Sequence, residues 1–247
     1  VSRQFSSVGA VLKTLSVALL LAAVLVLRAE AALEFSGYPV FWFPNRELDR
    51  LGYEAMGVGV CSRLAVRFKD NGNLHPYLFG EASYLTYGSK DGFVPIENSP
   101  YLDDGLSYHS LYDLYLACSG VGLEYDADMV RPYLEAFGGY SYYHSSVLFH
   151  HRRAVDPLFK ERHLYKGHTF NLGLGLGLRI TIWRTKDEAP GREKSLPWDF
   201  KLSYVGGGQT EVYYREPVLL ENDAVVFRTT TPPVTHFQFR VGLLLVN

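Results

Sequence analysis

The sequence predicts an all-β fold: a closed, antiparallel, up-and-down transmembrane β-barrel of about eight strands. Three observations predict it. Beyond the first 31 residues, apolar and polar side chains alternate with period two in segments of ten residues or more, as strands with one face on lipid require. No stretch of even 15 uninterrupted apolar residues follows that opening, so helical spans, which need about 20, are excluded. The gaps between segments alternate between short and long, the usual asymmetry of a membrane barrel.

The clearest segment is Phe170 to Trp183, in which every even position is Phe, Leu or Ile and the odd ones are Asn, Gly, Gly, Gly, Arg, Thr and a final Trp. A helix would smear these two sets round its circumference, whereas a strand sends them to opposite faces. The leucine face suits lipid. A face of glycines, an amide and a guanidinium suits the narrow lumen of a small barrel. The Gly-x-Gly-x-Gly run lies within a strand and opens no helix, which removes the nucleotide-loop reading.

Eight segments follow: Leu33 to Phe43, Tyr53 to Phe68, His75 to Tyr87, Ser110 to Tyr125, Arg131 to Val147, His168 to Trp183, Trp198 to Tyr214 and Thr235 to Asn247. Pro39 interrupts the first, and proline is confined to strand ends, edges and bulges. Lys69 to Leu74, Asp126 to Val130 and Thr185 to Pro197 are the shorter connections. Gly88 to His109, Leu148 to Gly167 and Arg215 to Val234 are the long loops, expected on the outside.

Charge sets the phase of each strand, because Arg or Lys facing lipid costs ~2–4 kcal/mol at mid-bilayer. On that rule Arg63, Arg67, Glu81, Glu135, Arg179, Asp199, Lys201 and Arg240 point into the lumen, with Ser83, Ser203, Gln238 and Gly242 beside them. Met56, Val58, Val60, Leu64 and Val66 point outward, as do Trp198, Phe200, Leu202, Tyr204, Phe237, Phe239, Val241, Leu243 and Leu245. In Ser110 to Tyr125 the same rule turns Tyr112, Leu114 and Leu116 outward and asks for a β-bulge near Ser119-Gly120. Acids and bases spread over several strands imply a mixed-sign network that plugs the lumen, since buried ions are tolerable only when paired. A conducting pore is the competing expectation.

The first residues carry Arg3 and Lys13, the 13-residue run Leu15 to Leu27, then Arg28 and Ala29-Glu30-Ala31. A positive start, a short apolar core and an A-x-A site predict a secretory signal peptide over 1–31, leaving the barrel as one domain over 32–247. Removing Arg3, Lys13, Arg28 and Glu30 leaves 21 basic and 25 acidic side chains, a formal charge of about −4. That is too mild and too dispersed for a nucleic-acid partner. Cys61 and Cys118 fall on nonadjacent strands, so they are expected to stay unbridged.

The segment Val130 to Tyr143, VRPYLEAFGGYSYY, resembles the R/K-P-Y-x-E-A-G-x-G-Y strand common to small outer-membrane barrels of the OmpA and OmpX type and to the lipid A deacylase PagL. His236 to Asn247 resembles their terminal strand, although such strands usually end in an aromatic residue and this one reads Leu245-Val246-Asn247. The resemblance implies residence in the Gram-negative outer membrane, insertion by the barrel assembly machinery, and contact with outer-membrane lipid and lipopolysaccharide. For the deacylases it further implies a catalytic His and Ser two residues apart near the end of the chain. Phe200 to Tyr204 stands there without a His.

His144 and Ser146 form another H-x-S on one strand face, but acyl transfer also needs an acid to orient the imidazole, and no acid is visibly placed for it. His144 is instead expected among Tyr140 and Tyr142 in an interfacial girdle, with Tyr143, Tyr213, Tyr214 and Trp198 also near strand ends. The loop Leu148 to Gly167 holds His150, His151, Arg152, Arg153, Lys160, Arg162, His163 and Lys166 against Asp156 and Glu161. Its charge of about +3 suits lipopolysaccharide phosphate. Loop imidazoles lack the fixed geometry of a metal site. The expectation is a noncatalytic barrel without cofactor or metal, in a structural or surface-interaction role. A pore, a lipid A-modifying enzyme and a soluble periplasmic lipocalin-like barrel are the alternatives.

Overall fold

A computed structural model describes residues 31–45, 56–68, 72–95, 105–151, 160–186, 193–210, 212–219, 225–231 and 233–246. The expected signal peptide therefore lies outside the described residues except for Ala31, which opens the first strand. Ten strands follow: β1 Ala31–Pro44, β2 Gly57–Phe68, β3 Leu74–Pro95, β4 Gly105–Tyr125, β5 Val130–His151, β6 Lys160–Lys186, β7 Glu193–Gln209, β8 Val212–Leu219, β9 Val225–Thr230 and β10 Pro233–Val246. Eight of them close into a barrel in the order β1-β10-β7-β6-β5-β4-β3-β2, while β8 and β9 pair only with each other. No helix among the described residues is long and apolar enough to cross a membrane.

Every barrel pair is antiparallel, and its register fixes the shape. Partners followed once round the barrel from Trp42 run through Gln238, Ser203, Gly175, Glu135, Gly122, Tyr77 and Arg67 to Ala32, ten residues back along β1. A stagger of ten over eight strands tilts the strands and leaves an interior as wide as its side chains. The ends of β2, β4 and β6 lie with Ala31 and Val246 at one end of the barrel, called here the turn end. At the opposite, loop end β1, β3, β5 and β7 finish, and the β8–β9 hairpin follows β7.

The glycines of β6 show how that interior is filled. Gly177 stands opposite Tyr133, Gly175 opposite Glu135 and Gly173 opposite Phe137. A Cβ on Gly177 would collide with the Tyr133 ring, and one on Gly173 with that of Phe137. Large side chains of β5 thus lie flat over their glycine partners, the cross-strand device that protects glycine in sheets.

Several expectations need correction. β4 has no bulge near Ser119-Gly120, since its register to β3 and β5 runs through both residues without a shift. Its even positions face inward throughout, so Tyr112, Leu114 and Leu116 are buried in the lumen and Asp113 lies on the outer face. The bulge in this pair is on β3, between Thr86 and Ser89. Leu148 to Gly167 is largely strand, because β5 continues to His151 and β6 begins at Lys160, with His150 opposite Lys160. Gly88 to His109 is shortened in the same way by β3 and β4, and Thr185 to Pro197 by β6 and β7. The expected strand Trp198 to Tyr214 ends at Gln209, and Tyr213 belongs to the β8–β9 hairpin. Pro39 is accommodated in mid-strand: pairing to β10 lapses at Tyr38 and Pro39 and resumes at Val40 in the same register.

Candidate functional site

The lumen holds two linked charge clusters. Near the turn end, Arg67 meets Glu34 at 2.8 Å and Glu124 at 2.9 Å, and Arg179 meets Glu34 at 3.2 Å and also pairs with Glu124. Towards mid-barrel, Arg63 bridges Glu135 at 2.6 Å and Glu81 at 3.3 Å. Lys201 pairs with the same two carboxylates, and Arg240 reaches Glu81 at 2.7 Å. Asp199 lies between the clusters, 3.9 Å from Arg179, and accepts hydrogen bonds from the Tyr38 and Tyr133 hydroxyls at 2.8 and 2.6 Å. Tyr77 donates to Glu135 at 2.7 Å.

This network joins five cations to five carboxylates, each with an opposite charge within 4 Å. Its formal net charge is zero. Aromatic faces line the remaining sides. The Arg63 guanidinium lies 4.6 Å from the Phe79 ring centroid and Lys201 Nζ 5.0 Å from the same centroid. Such contacts add about 2 kcal/mol when desolvated.

All eight sequence-selected charges lie inside, together in this network. Glu34 and Glu124 join them without having been singled out by the sequence pattern, although Leu33-Glu34-Phe35 and Leu123-Glu124-Tyr125 each place one acid between two large apolar residues. The three tyrosine hydroxyls are likewise additions, which phase alone does not separate from membrane anchors. Tyr143, expected at the interface, is buried towards the loop end in a cluster with Val40, Trp42, Leu85, Tyr112 and Leu114.

The outer wall is different in kind. Phe170, Leu172, Leu174 and Leu176 are 78%, 75%, 60% and 64% exposed, and Val60, Val121, Leu134, Ile182, Leu202 and Phe237 are also exposed. Towards the loop end this apolar face passes into rings in contact: Tyr84 with Tyr115, Tyr115 with Tyr142, and Tyr140 with both His168 and Phe170. Asp113 sits at the margin of that girdle, where the Tyr84 hydroxyl donates to it at 2.8 Å.

The structure therefore does place an acid beside His144, with Asp113 Oδ2 3.8 Å from its Nδ1. That spacing exceeds a hydrogen bond. Meanwhile the imidazole stacks on Tyr142 at 6.4 Å, the neighbour on the side away from Ser146. The three groups share a wall without forming a connected relay. In the basic hairpin, Lys166 is exposed and stands opposite His144. The side chains of His150, His151, Lys160, Arg162 and His163, and Arg152 and Arg153 entirely, lie outside the described residues.

No family model matches the chain, and no characterised protein matches it in sequence. Among solved structures it is similar to Neisserial surface protein A, with 13% identity and a TM-score of 0.43 over 87% of this chain and 97% of that one. It is also similar to a major outer membrane protein from Thermus thermophilus, with 13% identity and a TM-score of 0.39 over 87% and 100%. A third similar structure is Ail, the attachment invasion locus protein of Yersinia pestis, in complex with the heparin analogue sucrose octasulfate, with 12% identity and a TM-score of 0.34 over 87% and 97%.

Proposed function

We propose that this chain is an integral outer-membrane barrel, noncatalytic and sealed, which holds its loop-end segments at the cell surface in a structural or surface-interaction role. One observation carries the reading: a charge-balanced, packed lumen stands inside a wall whose most exposed large side chains include Phe170, Leu172 and Leu176. At ~25 cal/mol per Å² of apolar surface left in water, such a wall is costly for a soluble protein and favourable in a bilayer. A lipocalin-like barrel needs the reverse arrangement, with its apolar face inward. Ions would have to pass both the paired network and the buried side chains clustered around Trp42 and Leu85.

Reconstitution into planar bilayers tests the proposal. Protein that shows heat-modifiable gel migration, and so is closed as a barrel, should give no stable unitary conductance. Reproducible single-channel steps would overturn the sealed reading, and release from membranes by salt alone would overturn the membrane reading.

A further inference from the structure

We infer that the outer wall at the loop end of β5 and β6 binds the phosphate of a phosphorylated lipid headgroup, with Lys166 as its cation and the His144 and His168 imidazoles as flanking donors. This rests on the membrane reading above and gives it a specific lipid contact. The exposed face of β6 runs from Ile182 through Leu176, Leu174, Leu172 and Phe170 to His168 and Lys166. Twelve residues separate Ile182 from Phe170. At about 3.3 Å each, on a strand tilted by about 40°, they cover about 30 Å of depth, the thickness of the hydrocarbon core. His168 and Lys166 come next, at the height of the headgroups.

The neighbouring strand supplies the rest of the platform. Lys166 is opposite His144, and His168 is opposite Tyr142. Both imidazoles are held by stacking, His168 on Tyr140 at 5.9 Å and His144 on Tyr142 at 6.4 Å. Asp113 Oδ2 lies 3.8 Å from His144 Nδ1, on the Nδ1 side of the ring. The carboxylate's own repulsion is moderated by the hydrogen bond it accepts from Tyr84.

A lipid is favoured over free phosphate because Phe170 and Leu172 continue the same exposed face beyond His168, where an acyl chain would run. The site needs little intrinsic affinity, since partition into the bilayer already brings the phosphate to this height. A single cation at a lipid surface is worth ~1 kcal/mol, a factor of about five.

The test uses the full chain in nanodiscs that contain equal amounts of lipid A and its dephosphorylated form, with retained lipid read by native mass spectrometry. Lipid A should be retained in preference, and Lys166→Gln should cut that preference about five-fold. His144→Gln with His168→Gln should lower it further, each variant still showing heat-modifiable migration. Excess inorganic phosphate should not displace the lipid. Equal retention of both lipids by a correctly inserted barrel, an unchanged preference in Lys166→Gln, or full displacement by inorganic phosphate would each overturn the headgroup site while leaving the membrane reading intact. A chain that never inserts would overturn both.

Discussion

Arg240 on β10 reaches across the lumen to Glu81 on β3, with Nη1 2.7 Å from Oε2. Glu81 also faces Arg63 and Lys201, each at 3.3 Å, so this one carboxylate, with Glu135 beside it, faces three cations. Glu81→Ala should destabilise the barrel by ~3–5 kcal/mol, the usual cost of stranding buried charge. The double variant Glu81→Leu with Arg240→Leu should cost less than the sum of its single changes. Urea unfolding in lipid vesicles measures both, and strict additivity would mean that the two groups do not interact.

Gly177 and Gly37 provide a matched pair on the two sides of the wall. A Cβ at Gly177 would run into the Tyr133 ring, whereas one at Gly37 meets nothing within 4 Å. Gly177→Ala should cost ~1–3 kcal/mol by overpacking, and Gly37→Ala should be near neutral. The same unfolding assay separates them, and equal effects would contradict the cross-strand packing of β5 on β6.

Asp128 has φ 63° in the turn between β4 and β5, where its amide donates to Asp126 Oδ1 at 3.1 Å. Asp128→Gly should leave stability unchanged or raise it slightly, because glycine adopts this conformation without strain. Asp128→Val should lose ~1–2 kcal/mol. Refolding yield and the urea midpoint are the readouts, with equal midpoints for the two variants the contrary result.

Cys61 and Cys118 are free and buried in the lumen. Arg240 donates to Cys61 Sγ at 3.3 Å, and the Cys118 thiol contacts Glu81 Oε2 at 3.7 Å. A membrane-impermeant maleimide should label neither cysteine in the folded barrel and both in urea. Labelling of the native protein would mean that water enters the lumen.

Much of this architecture is legible in the sequence where a strand carries cations on one face and branched or aromatic residues on the other. Arg63 and Arg67 fix the phase of β2, Lys201 that of β7 and Arg240 that of β10. The pattern misplaces β4 because its inner face is Tyr112, Leu114 and Leu116, and alternation alone cannot say whether a leucine meets lipid or plugs a lumen. Asp113 compounds the error: the rule that charges point inward holds at mid-bilayer and lapses at the interface, where the Tyr84 hydroxyl can satisfy a carboxylate. The acid beside His144 is hidden for the same reason. The loop-side ends of β3, β4, β5 and β6 are cut short in the sequence reading because polar residues such as His150 and Lys160 end an apolar pattern without ending the backbone ladder.

The side assignment of β6 bears most directly on the whole account. A nitroxide at Leu174→Cys, with Cys61 and Cys118 replaced by Ser, can be compared with one at Ser203→Cys on the inner face of β7. The label at 174 should collide freely with dissolved oxygen and hardly at all with a water-soluble nickel chelate, and the label at 203 should be shielded from both. A nickel-accessible label at 174 would mean that water, rather than hydrocarbon, bathes the leucine face, and the membrane barrel would have to be abandoned.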